Sequence, residues 1–249
     1  MKLNCDMGES YGSWTMGKDS DVMPYVDMAN IACGFHASDP DHMAKTIQLA
    51  VEDNVEIGAH PGYDDKSGFG RRSIPHSAEA ITRLVAYQIG ALDALCQLYG
   101  GEVSYVKPHG ALYNDMMADE AIFKAIVNAV SDLNRYRTSA LKLMILARCD
   151  NQQYTDLAAQ LGVELLLEGF ADRAYNSDGL LVPRTQAGSV YHDSRRIRQQ
   201  VAELAKGKVT TIDGKTLALH VDTVCVHGDN DESIAIVRQL AEDLSHVQD

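Results

Sequence analysis

Short apolar runs alternate with helix-patterned segments along this whole chain, and most of the runs end on polar residues beside glycine or proline. That alternation constrains the fold more than any other feature. The expected strands cover roughly 1–5, 27–33, 55–59, 102–107, 141–147, 163–168 and 221–227. Several are leucine-rich or β-branched without clean polar alternation, as strands covered on both faces should be. Between them, residues 40–53 read as a helix capped by Asp39 with Pro40 in its first turn, placing Met43, Ile47, Ala50 and Val51 on one face. A second helix runs over 77–99, from Ser77 to Gly100-Gly101, and others cover 119–131, 151–161 and 194–206. Links this short imply parallel strands joined by right-handed crossovers. Lys208–Ile212, the turn Asp213-Gly214 and Thr216–Leu219 add a β-hairpin. The pattern fits a parallel α/β barrel of seven or eight strands, with a doubly wound open sheet as the alternative.

No Pro/Gly/Ser-rich linker or low-complexity tract divides the 249 residues, so one domain over 1–249 is expected. A formal net charge of −13 argues against general nucleic-acid binding, which needs a basic surface to displace phosphate counterions. It argues equally against docking on an anionic membrane. No apolar stretch approaches the about 18–20 residues that span a bilayer, and the N-terminus shows no secretory pattern. The five cysteines are odd in number and lack CxxC pairing, which speaks against a disulfide scaffold. The cytoplasm is the expected location.

The chemistry collects where strands end. Asn4-Cys5-Asp6 and then Glu9 follow the first run, and His36 follows the second. His60-Pro61-Gly62 ends the third and Lys107-Pro108-His109-Gly110 the fourth, with Asn114 shortly after. Glu168 ends the sixth, leading to Arg173, and His227-Gly228-Asp229 ends the last. In a parallel α/β fold these positions share the carboxyl-end face, where loops build the active site. Asp6, His36, His60, His109, Glu168 and His227 should therefore converge.

Each of these residues has an ordinary reading too: a loop hydrogen bond for a histidine, a pairing with Arg173 for Glu168, a turn cap for Asp6. Imidazole and carboxylate together suit a divalent metal, in which case Asp6, His36, His60 and His109 are the candidate ligands. No HxxxH or HExxH spacing supports a metal locally. The other reading is metal-free acid–base chemistry, with a carboxylate as base and histidine as acid or oxyanion partner. Cysteine nucleophiles are the weaker option, because Cys5, Cys33 and Cys225 fall inside expected strands. Arg71, Arg72 and Arg184 add cations suited to carboxylate or phosphate. Neither GxxxxGK[ST] nor a strand-linked GxGxxG is present, so neither common phosphate loop holds a nucleotide.

LNCDMGES (3–10), NIACGFHASDP (30–40), IGAHPGY (57–63), FGRR (69–72), VKPHGALYN (106–114), EGFADRAY (168–175), DGLLVPR (178–184) and CVHGD (225–229) closely resemble the LamB/YcsF family. Ser38 stands where that family's pattern has glycine, and Asp64 where it has proline. The resemblance implies a distorted seven-stranded TIM-like barrel related to glycoside hydrolases and polysaccharide deacetylases. It implies hydrolysis of the lactam of 5-oxo-L-proline to L-glutamate, with ATP as co-substrate, in a complex with two further subunits, B and C. On that reading Asp6 and Glu168 are acid–base carboxylates or hold a divalent ion carrying ATP phosphates. His36, His60 and His109 orient the lactam. Asn4, Glu9, Arg71, Arg72, Lys107, Asn114, Arg173, Arg184, His227 and Asp229 are the candidates for holding substrate or phosphate. The rival functions are a metal-dependent deacetylase or amidohydrolase and a non-catalytic substrate-binding subunit. Self-association into a homo-oligomer is left open.

Overall fold

The computed structural model describes residues 1–228 and 230–245, so Asp229 lies outside the described residues. The strands β1 (Lys2–Met7), β2 (Met28–Ala32), β3 (Glu56–His60), β4 (Val103–Val106), β5 (Lys142–Leu146) and β6 (Leu165–Phe170) follow in chain order. β7 (Lys208–Thr210) and β8 (Thr216–Ala218) form the expected antiparallel hairpin, and β9 (Thr223–Val226) comes last. The first six strands and β9 close into a seven-stranded parallel barrel, with β9 hydrogen-bonded between β6 and β1. The open-sheet alternative is thereby excluded.

The helices are α1 (Asp19–Val22), α2 (Pro40–Glu52), α3 (Ala78–Leu98), α4 (Gly110–Ala118), α5 (Glu120–Asn134), α6 (Gln152–Gln160), α7 (Ser194–Leu204) and α8 (Asp231–Ser245). Their starts follow the local chemistry. Asp39 accepts from the amides of Asp41 and His42, and Ser77 accepts from that of Ala80, satisfying donors that a helix start leaves free. α1, α4 and α8 are additions to the expected set. α4 starts on Gly110, four residues past the end of β4, with no capping side chain to announce it. Among the described residues no helix is long and apolar enough to cross a membrane.

Two apolar regions hold the barrel. The larger lies between strands and helices, where Leu3, Ile31, Ile57, Val106 and Leu143 meet Ile47, Val85, Ile89, Phe123 and Ile126. The smaller, of Met28, Tyr105 and Met144 with Leu166 against it, is separate and fills the barrel's interior. Gly58 makes room for it, because a Cβ there would stand 2.1 Å from the Tyr105 ring. The Tyr105 hydroxyl donates to Asn30 Oδ1 at 2.7 Å, which joins this apolar plug to the polar layer toward the strand ends.

Candidate active site

The polar layer is built on inward positions of β1, β2, β6 and β9 and on the residue that follows β4. Lys107 projects its ammonium into it with only 4% of the side chain exposed. Its Nζ lies 2.8 Å from Asp6 Oδ1 and 2.8 Å from Glu168 Oε1. Asn30 Nδ2 also donates to Asp6 Oδ1, at 2.8 Å, while Tyr113 donates its hydroxyl to Glu168 Oε2 at 2.7 Å. The Asn4 side-chain amide is buried between Asn30 and Thr223. One buried cation thus serves two carboxylates, Glu168 fully buried and Asp6 partly open to the cavity, and every group has partners, which such burial demands. Burial alone would push the Lys107 ammonium down, but Asp6 and Glu168 override it and hold it well above its usual range. Burial pushes Asp6 up, and its neighbours His60 and Lys107 more than offset this, leaving the carboxylate well below its ordinary value.

Glu168 is not at the strand end as expected. β6 runs two residues further, to Phe170, so Glu168 points into the barrel and is fully buried. Its expected pairing with Arg173 does not form. The Arg173 fork instead donates to the carbonyls of Val182 at 2.7 Å and Ser189 at 3.3 Å, spending its donors on holding its own loop.

Beside Asp6 stands a cluster of three buried histidines. His60 Nε2 lies 3.4 Å from Asp6 Oδ2 and 3.0 Å from His109 Nδ1. His36 stacks on His109, ring centroids 3.7 Å apart and planes 3° from parallel. Glu9 closes the group, with Oε1 3.3 Å from His36 Nε2 and 3.6 Å from His109 Nδ1. The Glu9, His36, His60 and His109 donor atoms lie within 4.8 Å of one another. Burial pushes the His109 imidazolium down to about 3, helped by the neighbouring His60, and pushes that of His36 well down too. The loop at Phe69-Gly70 covers the histidines. A Cβ on Gly70 would stand 2.7 Å from His36 Cβ and 2.8 Å from His109 Cδ2, so only glycine lets the loop come this close.

Above these groups opens a cavity of about 330 Å³ lined by Asp6, Glu9, His60, Lys107, His109 and Asn114, among others. Arg71, Arg184 and His227 stand on its wall and also line a second cavity of about 310 Å³. His227 is fixed there by Asp172, Nδ1 to Oδ2 at 2.9 Å. Most of the expected residues therefore converge, with differences in how they do so. His36 and Glu168 stand behind the lining and not on it. Arg72 turns away from Arg71 to pair with Asp65, donating through Nε at 2.9 Å, and does not reach the cavity. As the metal candidate the group contains Glu9 in place of Asp6, whose carboxylate is turned to Lys107. Tyr113 and Asp172 were not expected, since each acts through a contact that spacing does not reveal.

The cysteine reading finds no support. Cys5, Cys33 and Cys225 are buried, and burial pushes the Cys33 thiol up to about 12 and that of Cys225 well up. Ser38 has φ +71, the left-handed region where glycine sits freely and other residues cost roughly 1–2 kcal/mol. The glycine of the family pattern at this position thus has a backbone reason.

Known proteins resemble this chain over nearly its whole length. The A subunit of a 5-oxoprolinase from Vibrio vulnificus (strain CMCP6) is 57% identical over 241 residues, covering 96% of this chain and 95% of that protein. A 5-oxoprolinase A subunit from Pseudomonas putida, numbered 2 in that organism, is 52% identical over 247 residues, covering 99% of this chain and 94% of that protein. The crystal structure of a lactam utilization protein from Thermus thermophilus superposes with a TM-score of 0.89 at 37% identity, covering 98% of this chain and 97% of that one. Residues 1–248 match the LamB/YcsF family, and the chain belongs to it.

Proposed function

We propose that this chain carries the lactam-opening site of an ATP-dependent 5-oxoprolinase and works as its A subunit beside subunits B and C. The relatives' shared name supports the substrate and the place in a complex. The observation that carries the chemistry is Lys107 clamped between Asp6 and Glu168 at the base of a cavity with Arg71, Arg173 and Arg184 on its wall.

5-Oxoproline is a five-membered lactam bearing a carboxylate. The cavity of about 330 Å³ is ample for it. Arg71 or Arg184 takes the carboxylate, and the lactam carbonyl turns toward Lys107. The unstrained amide is a poor electrophile, so ATP is needed: the lactam oxygen takes the γ-phosphoryl group and ADP leaves. Asp6, held ionised, then removes a proton from a water that adds to the ring carbon. The C–N bond breaks with protonation of the nitrogen, leaving γ-glutamyl phosphate, and a second water releases phosphate to give glutamate. Lys107 holds the lactam oxygen for transfer, and then stabilises the negative charge that develops on the new hydroxyl oxygen as the tetrahedral adduct loses its proton and the C–N bond breaks. The second cavity, reached past Arg71 and Arg184, is the place for the phosphates during transfer. We place the reaction in the cytoplasm, in keeping with an odd number of cysteines that lack CxxC spacing.

Glutamate release from 5-oxoproline is the test. The expected result is release when ATP, subunits B and C and this chain are all present, and loss of release when this chain is withheld. Undiminished release without it would refute the assignment, and binding of 5-oxoproline without any turnover would leave only a delivery role.

A further inference from the structure

The histidine cluster poses a proton-counting problem that a metal ion solves. His60 Nδ1 lies 2.6 Å from the carbonyl oxygen of Lys107, and His109 Nε2 lies 2.8 Å from that of Phe69. A carbonyl only accepts, so each of these nitrogens carries the ring's N–H. The remaining nitrogens, His60 Nε2 and His109 Nδ1, then bear lone pairs in the neutral rings. Yet they face each other at 3.0 Å. Two acceptors at that distance repel unless a positive centre lies between or beside them. Glu9 and Asp6 add two more electron-rich atoms, Glu9 Oε1 3.6 Å from His109 Nδ1 and Asp6 Oδ2 3.4 Å from His60 Nε2.

We propose that His60 Nε2, His109 Nδ1 and the Glu9 carboxylate form a three-ligand site for a divalent transition-metal ion, Zn²⁺ being the ion that this donor set suits. Two imidazoles and one carboxylate with open positions make up the donor set of a hydrolytic rather than a structural zinc site. The carbonyl-anchored N–H groups are the supports that metal-bound histidines ordinarily have, fixing tautomer and ring direction. His36 is a positioning residue in this site. A histidine binds a metal in the plane of its ring, and its plane is parallel to that of His109 at 3.7 Å, so the two rings do not aim at a common point. Its Nε2 instead lies 3.3 Å from Glu9 Oε1 and orients that carboxylate. Glu9, His60 and His109 all line the cavity of about 330 Å³, so a bound ion would present its open positions to a ligand there. Lys107 turns Asp6 toward itself and leaves it beside the ion's site, free for acid–base work. The site depends on the cluster alone, whatever the substrate is.

The test uses the full chain, stripped with a chelator and equilibrated with Zn²⁺ or with Co²⁺ as a spectroscopic substitute. The expected result is one Zn²⁺ retained per chain after removal of free metal, and visible Co²⁺ absorption typical of a low-coordinate nitrogen–oxygen site. Glu9→Gln and His109→Asn should each abolish retention. His36→Asn should weaken affinity by about 10–100-fold, the usual effect of removing a ligand's support. Glu9→Gln is the decisive variant if His109→Asn fails to fold, because Glu9 is near the cavity and its replacement is nearly isosteric. No retained metal in the parent chain overturns the proposal, since the two histidines then share a proton. Equal retention in Glu9→Gln overturns it as well.

Discussion

Lys107→Met is expected to abolish glutamate formation and to lower stability by about 3–5 kcal/mol, the cost of leaving buried charge unpaired. For a chain of this size that corresponds to a melting temperature lower by roughly 6–20 °C. The methionine side chain fits the space, so the effect is electrostatic. Asp6 and Glu168, each 2.8 Å from the ammonium, would face each other without a cation, and Glu168 has no solvent to turn to. Its other oxygen is already taken by the Tyr113 hydroxyl. Adding Glu168→Gln to Lys107→Met should recover much of the lost stability and none of the activity, because it removes a stranded charge without restoring the oxyanion partner. Thermal melts of the single and double variants, read beside glutamate release, check both halves. A single variant that melts like the parent would show that the cation is not balancing these carboxylates.

Asp6→Asn is expected to cut turnover by about 10²–10⁴-fold, the span that a positioned general base contributes. Asp6 is partly exposed to the cavity and held in its charged form by His60 and Lys107 against the opposing effect of burial. Asparagine keeps the shape and can still accept from Lys107 and Asn30, so the fold and substrate affinity should change little. The measurement is kcat and KM for 5-oxoproline in the complex with subunits B and C. A kcat within tenfold of the parent would remove Asp6 from the proton transfer.

The barrel was readable because parallel strands buried on both faces stand out as apolar runs with polar ends, and Asp39 and Ser77 mark their helices plainly. The convergence of Asp6, His60 and His109 follows from that topology alone. What spacing cannot convey is direction. Arg71 and Arg72 are adjacent, yet one reaches the cavity wall and the other folds back on Asp65. Arg173 looks like a free cation in the sequence and spends its fork on loop carbonyls. Asp6 is the carboxylate ligand that the sequence suggests, and only the folded chain shows Lys107 holding it while Glu9 sits against the histidines. Tyr113 was hidden because α4 begins without a cap, so nothing in the sequence aims its hydroxyl at Glu168.

A crystal structure of the full chain with 5-oxoproline bound tests most directly whether the lactam is opened at the strand-end cavity, over Asp6 and Lys107. The expected result is the ring in the cavity of about 330 Å³, its carbonyl within hydrogen-bond reach of Lys107 and its carboxylate at Arg71 or Arg184. A ring seated elsewhere, with Asp6 and Lys107 untouched, would contradict it.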